Sequence, residues 1–166
     1  MKLERFDIIL DRQNATYLAG ETITGTLLIC SDRTLTAAQL GVKLIGQAHT
    51  GWVTKTEVKV MIFESNEELF NDYFDVMPLL SGGGLLPQGE QTFRFQMNLP
   101  LDLISSIYNE NFGWVRYTLT ATLKVSEQGF FAQLGGNNEV DTEKAITVYA
   151  QIDLDAVPNL RQPANA

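Results

Sequence analysis

The sequence predicts an all-β protein, built as an antiparallel β-sandwich. Three observations carry that reading. Apolar and polar residues alternate at period two along most of the chain, as a strand with one buried face requires. Turn residues interrupt these runs at short intervals. No segment carries the apolar repeat of a long helix. The 166 residues are 45% hydrophobic and 19% charged, an ordinary balance for one domain large enough to bury its own core.

The elements follow in order. Phe6, Ile8 and Leu10 define a first strand that ends at Asp11-Arg12. Thr16 to Glu21 reads as a turn, with Gly20 available for positive φ. Ile23 to Cys30 is the second strand, with Ile23, Gly25, Leu27 and Ile29 on one face and Thr24, Thr26, Leu28 and Cys30 on the other. Ser31 to Thr34 turns the chain. Ala38 to Val53 is a long strand in which Gly46 marks a bulge or a close backbone approach. Thr54-Lys55-Thr56 closes a hairpin into Val58–Phe63. Asn66 to Asn71 fits either a helical turn or a strand leading through Tyr73 and Met77. The run SGGGLLPQ, Ser81 to Gln88, has the composition of a mobile loop. Phe93, Phe95 and Met97 then alternate up to Leu99-Pro100, and a polar turn precedes Val115, Tyr117, Leu119, Ala121 and Leu123. Gln128 to Thr142 reads as a long polar turn, Ala145 to Leu154 as the final strand and Pro158 to Ala166 as a tail. About eight strands result.

Composition excludes several function classes. The net charge of −8 and pI near 4.6 oppose phosphate backbones, so no nucleic-acid partner is expected. Cys30 is the single cysteine, so no disulfide framework forms within the chain and a reducing, cytoplasmic setting is expected. Glu4 and Asp7 interrupt any signal-peptide core, and no apolar run reaches the length of a membrane helix. No direct membrane insertion is therefore expected.

Residues that could carry chemistry do not assemble into a motif. His49 is the only histidine and lacks a nucleophile or metal partners at suitable spacing. The pairs Glu67/Glu68 and Asp153/Asp155 read as solvated acidic faces. Gly82-Gly83-Gly84 lacks the Gly-Lys-Ser/Thr of a phosphate loop. Asn14-Ala15-Thr16 matches the glycosylation pattern but is discounted for want of a secretory signal. Cys30 reads as a packed thiol, with a redox role as the rival, and Trp52 and Trp114 read as sheet packing. The expectation is a binding module, not an enzyme, with no catalytic residue, metal or cofactor.

Four segments in a fixed order resemble the N-terminal domain of the arrestin superfamily, and within it the α-arrestins, the arrestin-domain-containing and thioredoxin-interacting type. Phe6–Asp11 followed by Tyr17-Leu18-Ala19-Gly20-Glu21-Thr22-Ile23-Thr24-Gly25 is similar to the family's Tyr-x-x-Gly-Glu-x-Ile/Val-x-Gly. Gly46-Gln47-Ala48 with Trp52 is similar to Gly-x-Ala-x-x-x-Trp. Phe93-Arg94-Phe95, Leu99-Pro100, Ser105-Ser106 and Gly113-Trp114-Val115-Arg116-Tyr117 match the third pattern. Ile152 to Leu160 resembles the strand that leads into the interdomain linker. Ile104 and Ile107-Tyr108 depart from the usual Pro and Phe-Glu beside the Ser-Ser pair.

The resemblance implies an immunoglobulin-like arrestin sandwich over residues 1–155, with 156–166 as the start of a linker or tail and the C-terminal arrestin domain absent. It implies an adaptor or scaffold that binds cytoplasmic tails of membrane proteins and links them to ubiquitination and endocytic trafficking, in the cytoplasm and recruited to the plasma membrane or endosomes. HECT-type ubiquitin ligases would be reached only through Pro-Pro-x-Tyr segments that this chain lacks. The alternatives are a retromer-subunit-like sorting-coat component and a thioredoxin-linked redox regulator. The first strand lacks the Lys-Lys pair that senses phosphate in the visual and β-arrestin branch, and Val53 to Phe63 lacks the cysteine of the thioredoxin-binding member. By the same resemblance, Lys2, Arg5 and Arg12 are the expected partner-binding charges beside the first strand's edge. Gly20, Glu21, Gly46, Trp52, Pro100, Ser105, Gly113, Arg116 and Tyr117 are the signature residues that shape the fold.

Overall fold

A computed structural model describes residues 3–55, 60–110, 112–126 and 138–151. It contains ten strands in chain order: β1 (Leu3–Leu10), β2 (Thr16–Leu18), β3 (Thr22–Ser31), β4 (Leu35–Lys55), β5 (Val60–Asp75), β6 (Leu85–Leu86), β7 (Gly89–Asn98), β8 (Ile107–Asn109), β9 (Gly113–Val125) and β10 (Glu139–Tyr149). They form two sheets. The smaller has the order β1-β3-β7; the larger runs β2-β10-β9-β4-β5, with β6 beside β4 and β8 beside β9. Every strand pair is antiparallel except β2 with β10, which is parallel.

The inner faces follow from the alternation. Ile8, Leu10, Ile23, Leu27, Ile29, Phe95 and Met97 of the smaller sheet meet Leu40, Val42, Leu44, Tyr117, Leu119, Leu123, Ile146 and Val148 of the larger in one buried cluster. Rings touch across the gap where Phe74 lies 6.4 Å from Phe95. The expected all-β sandwich is the observed architecture.

Several elements differ from the expectation. Thr16–Leu18 is a short strand on β10, not only a turn. Asn66 to Asn71 is strand throughout, because β5 runs unbroken to Asp75 beside β4. Gly46 is both things at once: the register shifts between Gly46 and Gln47, leaving Leu69 as the extra residue on β5, and a Cβ at Gly46 would lie 2.6 Å from the Tyr117 ring. The glycine-rich run is docked, since Leu86 is fully buried and Leu85–Leu86 pair with Thr36 and Leu35. The last strand starts at Glu139, inside the expected polar turn, and ends at Tyr149. Residues 56–59, on which the expected hairpin closure partly falls, and the chain from 152 onward lie outside the described residues, as does Lys2.

Candidate partner-binding site

β1 is a terminal strand of the smaller sheet, so among the described residues one side of its backbone has no strand partner. Phe6, Ile8 and Leu10 stand opposite Ile29, Leu27 and Gly25 on the core side, which leaves Arg5, Asp7 and Ile9 on the outer face. The Ile8 carbonyl points to the open side, because Lys144 Nζ of β10 donates to it at 3.3 Å. Lys144 stands opposite Leu119, in the same inward row as Ile146 and Val148. An inward-facing lysine at the seam is a known way to cover a free strand edge.

The charges named from sequence separate here. Arg5 lies on the edge strand, donating from Nε and Nη2 to Asp7 Oδ2 at 3.2 and 3.0 Å. Arg12 lies past the end of β1, in the turn. Its Nη2 is 2.7 Å from Glu21 Oε2, its Nη1 donates to the Thr16 carbonyl at 2.7 Å, and its guanidinium sits 4.7 Å from the Tyr17 ring centre. That bond, with a second from the Leu18 N–H, holds the Glu21 carboxyl below its ordinary range. Arg12 thus organises the turn, while Arg5 borders the edge. Lys144 was not singled out in the sequence; its signal was a lysine within the apolar row of the last strand.

The signature residues build the frame around this edge. Gly20 has φ +87°, and a side chain there would meet Leu101 at 2.8 Å. Its N–H donates to the Pro100 carbonyl at 3.0 Å, and Leu99 N–H donates to Glu21 O at 2.9 Å, so this turn fixes the proline corner. Ser105 and Ser106 act as surrogate backbone. Their hydroxyls accept from Ala150 N–H at 2.7 Å and Val148 N–H at 2.9 Å. Tyr117 is fully buried in the space that Gly46 leaves, and its hydroxyl donates to the Ile104 carbonyl at 2.6 Å. Gly113, at φ +134°, has no room for a Cβ against the His49 carbonyl. Trp52 pairs with Phe63 on the β4–β5 ladder.

At the other end of the larger sheet a row of side chains crosses four strands: Tyr108, Trp114, His49 and Asn66 are paired across β8, β9, β4 and β5. His49 stacks on Trp114 at 5.5 Å between ring centres, and its Nδ1 is 2.7 Å from Asn66 Oδ1. Arg116 sits 3.7 Å from the Trp114 ring centre. Ile107, Tyr108 and Phe112 are exposed nearby. A solvent-facing aromatic and arginine row of this kind suits a protein contact.

Other polar groups do structural tasks. Arg94 of β7 reaches across β3 to Asp11 with two bonds, Nη1 to Oδ1 at 2.7 Å and Nη2 to Oδ2 at 2.6 Å, while Thr24 Oγ1 donates to Oδ2 at 2.7 Å. Arg94 first, then Thr24, hold the Asp11 carboxyl well below the usual range. Cys30 lies 3.4 Å from Glu4 Oε2, and that carboxylate, with partial burial, pushes the thiol pKa up. A raised pKa weakens the thiolate chemistry of a redox switch. Among the described residues no cluster of three or more His, Cys, Asp or Glu side chains is placed to hold a metal ion.

The sequence pattern of the family "Arrestin (or S-antigen), N-terminal domain" matches residues 6–155. Arrestin domain-containing protein 17 of Caenorhabditis elegans is 26% identical over 173 residues, covering 99% of this chain and 38% of that protein. Arrestin domain-containing protein 15 of the same organism is 32% identical over 111 residues, 66% of this chain and 28% of that protein. The chain therefore spans well under half the length of these relatives. Among solved structures, the sporulation control protein Spo0M of Bacillus subtilis superposes with a TM-score of 0.56 at 20% identity, over 96% of this chain and 56% of that one. That likeness shows a shared fold.

Proposed function

We propose, from the premise that this chain belongs to the arrestin family as an α-arrestin-like N-terminal domain, that it is an adaptor module that captures extended segments of membrane-protein cytoplasmic tails. The capture site is the edge of β1. The observation that carries this reading is the open side of that strand, whose Ile8 carbonyl is met, among the described residues, by a lysine side chain. An extended segment can supply a new strand there, with backbone hydrogen bonds giving affinity and the flanking charges giving preference. Within a longer protein, the link to a ubiquitin ligase and to endocytic trafficking would run through segments outside this chain. The setting is the cytoplasmic side of membranes; among the described residues no helix is long and apolar enough to cross one.

The test is a titration of the domain with labelled cytoplasmic-tail peptides. Arg5→Glu reverses the charge beside the edge and is expected to weaken binding roughly threefold to tenfold. Unchanged affinity would remove Arg5 from the site. The aromatic row favours a second reading, a partner lying across the sheet face. Loss of binding in Trp114→Ala, with Arg5→Glu unaffected, would move the site there.

A further inference from the structure

We propose that the β1 edge also pairs with the β1 edge of a second copy, giving a two-fold symmetric dimer in which two three-stranded sheets join into one of six strands. This rests on the reading of β1 as an open pairing edge and adds a specific occupant to it.

Register and charge both favour this pairing. A two-fold axis perpendicular to the sheet pairs the strand with itself in antiparallel sense and keeps outer face beside outer face. Arg5 and Asp7 are the charged residues of that outer face, with side chains about half exposed, 55% and 47%. When Phe6 stands opposite Phe6 of the second copy, Arg5 faces Asp7 on both sides of the axis. The four charges then form a square of alternating sign. Sliding the pairing by one pleat either way sets Arg5 against Arg5 or Asp7 against Asp7, which opposes it. The register chosen by charge also suits the backbone. The Ile8 carbonyl faces the open side, so Phe6, two residues away on the same pleat, presents its N–H and C=O there as well, as a hydrogen-bonded pair needs. Lys144 must leave the Ile8 carbonyl for the ladder to close. The β5 edge of the larger sheet carries Glu64, Glu67, Glu68, Asp72 and Asp75 with no Lys or Arg, so two copies repel there.

Sedimentation velocity over a concentration series, from about 10 µM to about 1 mM, reads the equilibrium. A concentration-dependent dimer is expected for the unaltered chain. Arg5→Asp gives a wholly acidic edge and Asp7→Arg a wholly basic one, and each alone is expected to weaken the dimer at least tenfold. Mixing the two in equal amounts is expected to restore a dimer, as is the double swap in one chain. That rescue also shows that both variants are folded. A chain that stays monomeric throughout, or single variants that dimerise like the parent, would overturn the proposal. The tail-peptide titration is run in parallel. Peptide binding without self-association overturns the dimer alone; absence of both removes the open-edge reading itself.

Discussion

Each sheet has two terminal strands, β1 and β7 in the smaller and β2 and β5 in the larger, and two of these, β1 and β5, are kept in solution by different means. β5 spans sixteen residues and β1 eight. The long edge is protected along its length. It carries five carboxylates and no cation, Leu69 bulges out of register, and the Tyr73 N–H donates to Asp72 Oδ1 at 2.8 Å, where a partner strand would place its carbonyl. The short edge has mixed charges on its outer face and one lysine on its backbone. A long edge needs repulsion everywhere because any register could pair. A short one can be left selective, which is the condition the proposed docking at β1 requires.

The largest effect is expected at Gly46, which stands opposite the Leu69 bulge of β5. Gly46→Val has no space against Tyr117 and is expected to cost about 3 kcal/mol in urea unfolding. A neutral result would detach the bulge from that contact. The acid limb of stability sharpens the β1 side. Asp11 has a depressed pKa in the folded chain, so its contribution is present above the ordinary carboxylate range and is lost as pH falls through the folded value. Asp11→Asn is expected to flatten the acid-unfolding curve and to speed hydrogen exchange in β1 near neutral pH. An unchanged acid limb would show that the Arg94 bridge does not pin that strand. The smallest effect on stability, within about 0.5 kcal/mol, is expected for Glu68→Gln with Asp72→Asn. Light scattering should nevertheless show more self-association, because the repulsion on β5 has been reduced. No change would assign the protection of that edge to the bulge.

The sequence made the long strands legible wherever burial was one-sided: β3, β7 and β9 lie where their alternation put them. It failed where that rule lapses for a physical cause. In β5 the extra residue Leu69 sets two apolar residues, Leu69 and Phe70, side by side, and this erased the alternation over the segment left open between helix and strand. On the inward row of β10, Thr142 and Lys144 stand between Val140 and Ile146, so the apolar alternation was interrupted over its first half. β2 and β8 are three residues each and hold their place through partners distant in sequence. The candidate site was less legible still. The family resemblance, not the residue pattern, pointed to the first strand with Lys2, Arg5 and Arg12; of these Arg5 stands on β1, Arg12 bonds Glu21 in the turn, and Lys144 comes to Ile8 through the packing of the two sheets.

The lysine on the Ile8 carbonyl has a kinetic meaning as well as a structural one. Exposed side chains change rotamer in picoseconds to nanoseconds, far faster than a peptide or a second copy finds its docking pose at ordinary concentrations. An arriving strand therefore never waits for Lys144 to step aside. The contact works as a competitor with constant occupancy: it lowers the affinity of every incoming strand by a similar factor while leaving the encounter rate almost untouched. Removing the ammonium, as in Lys144→Met, should accordingly lengthen the lifetime of whatever pairs with β1 and leave its rate of arrival as before.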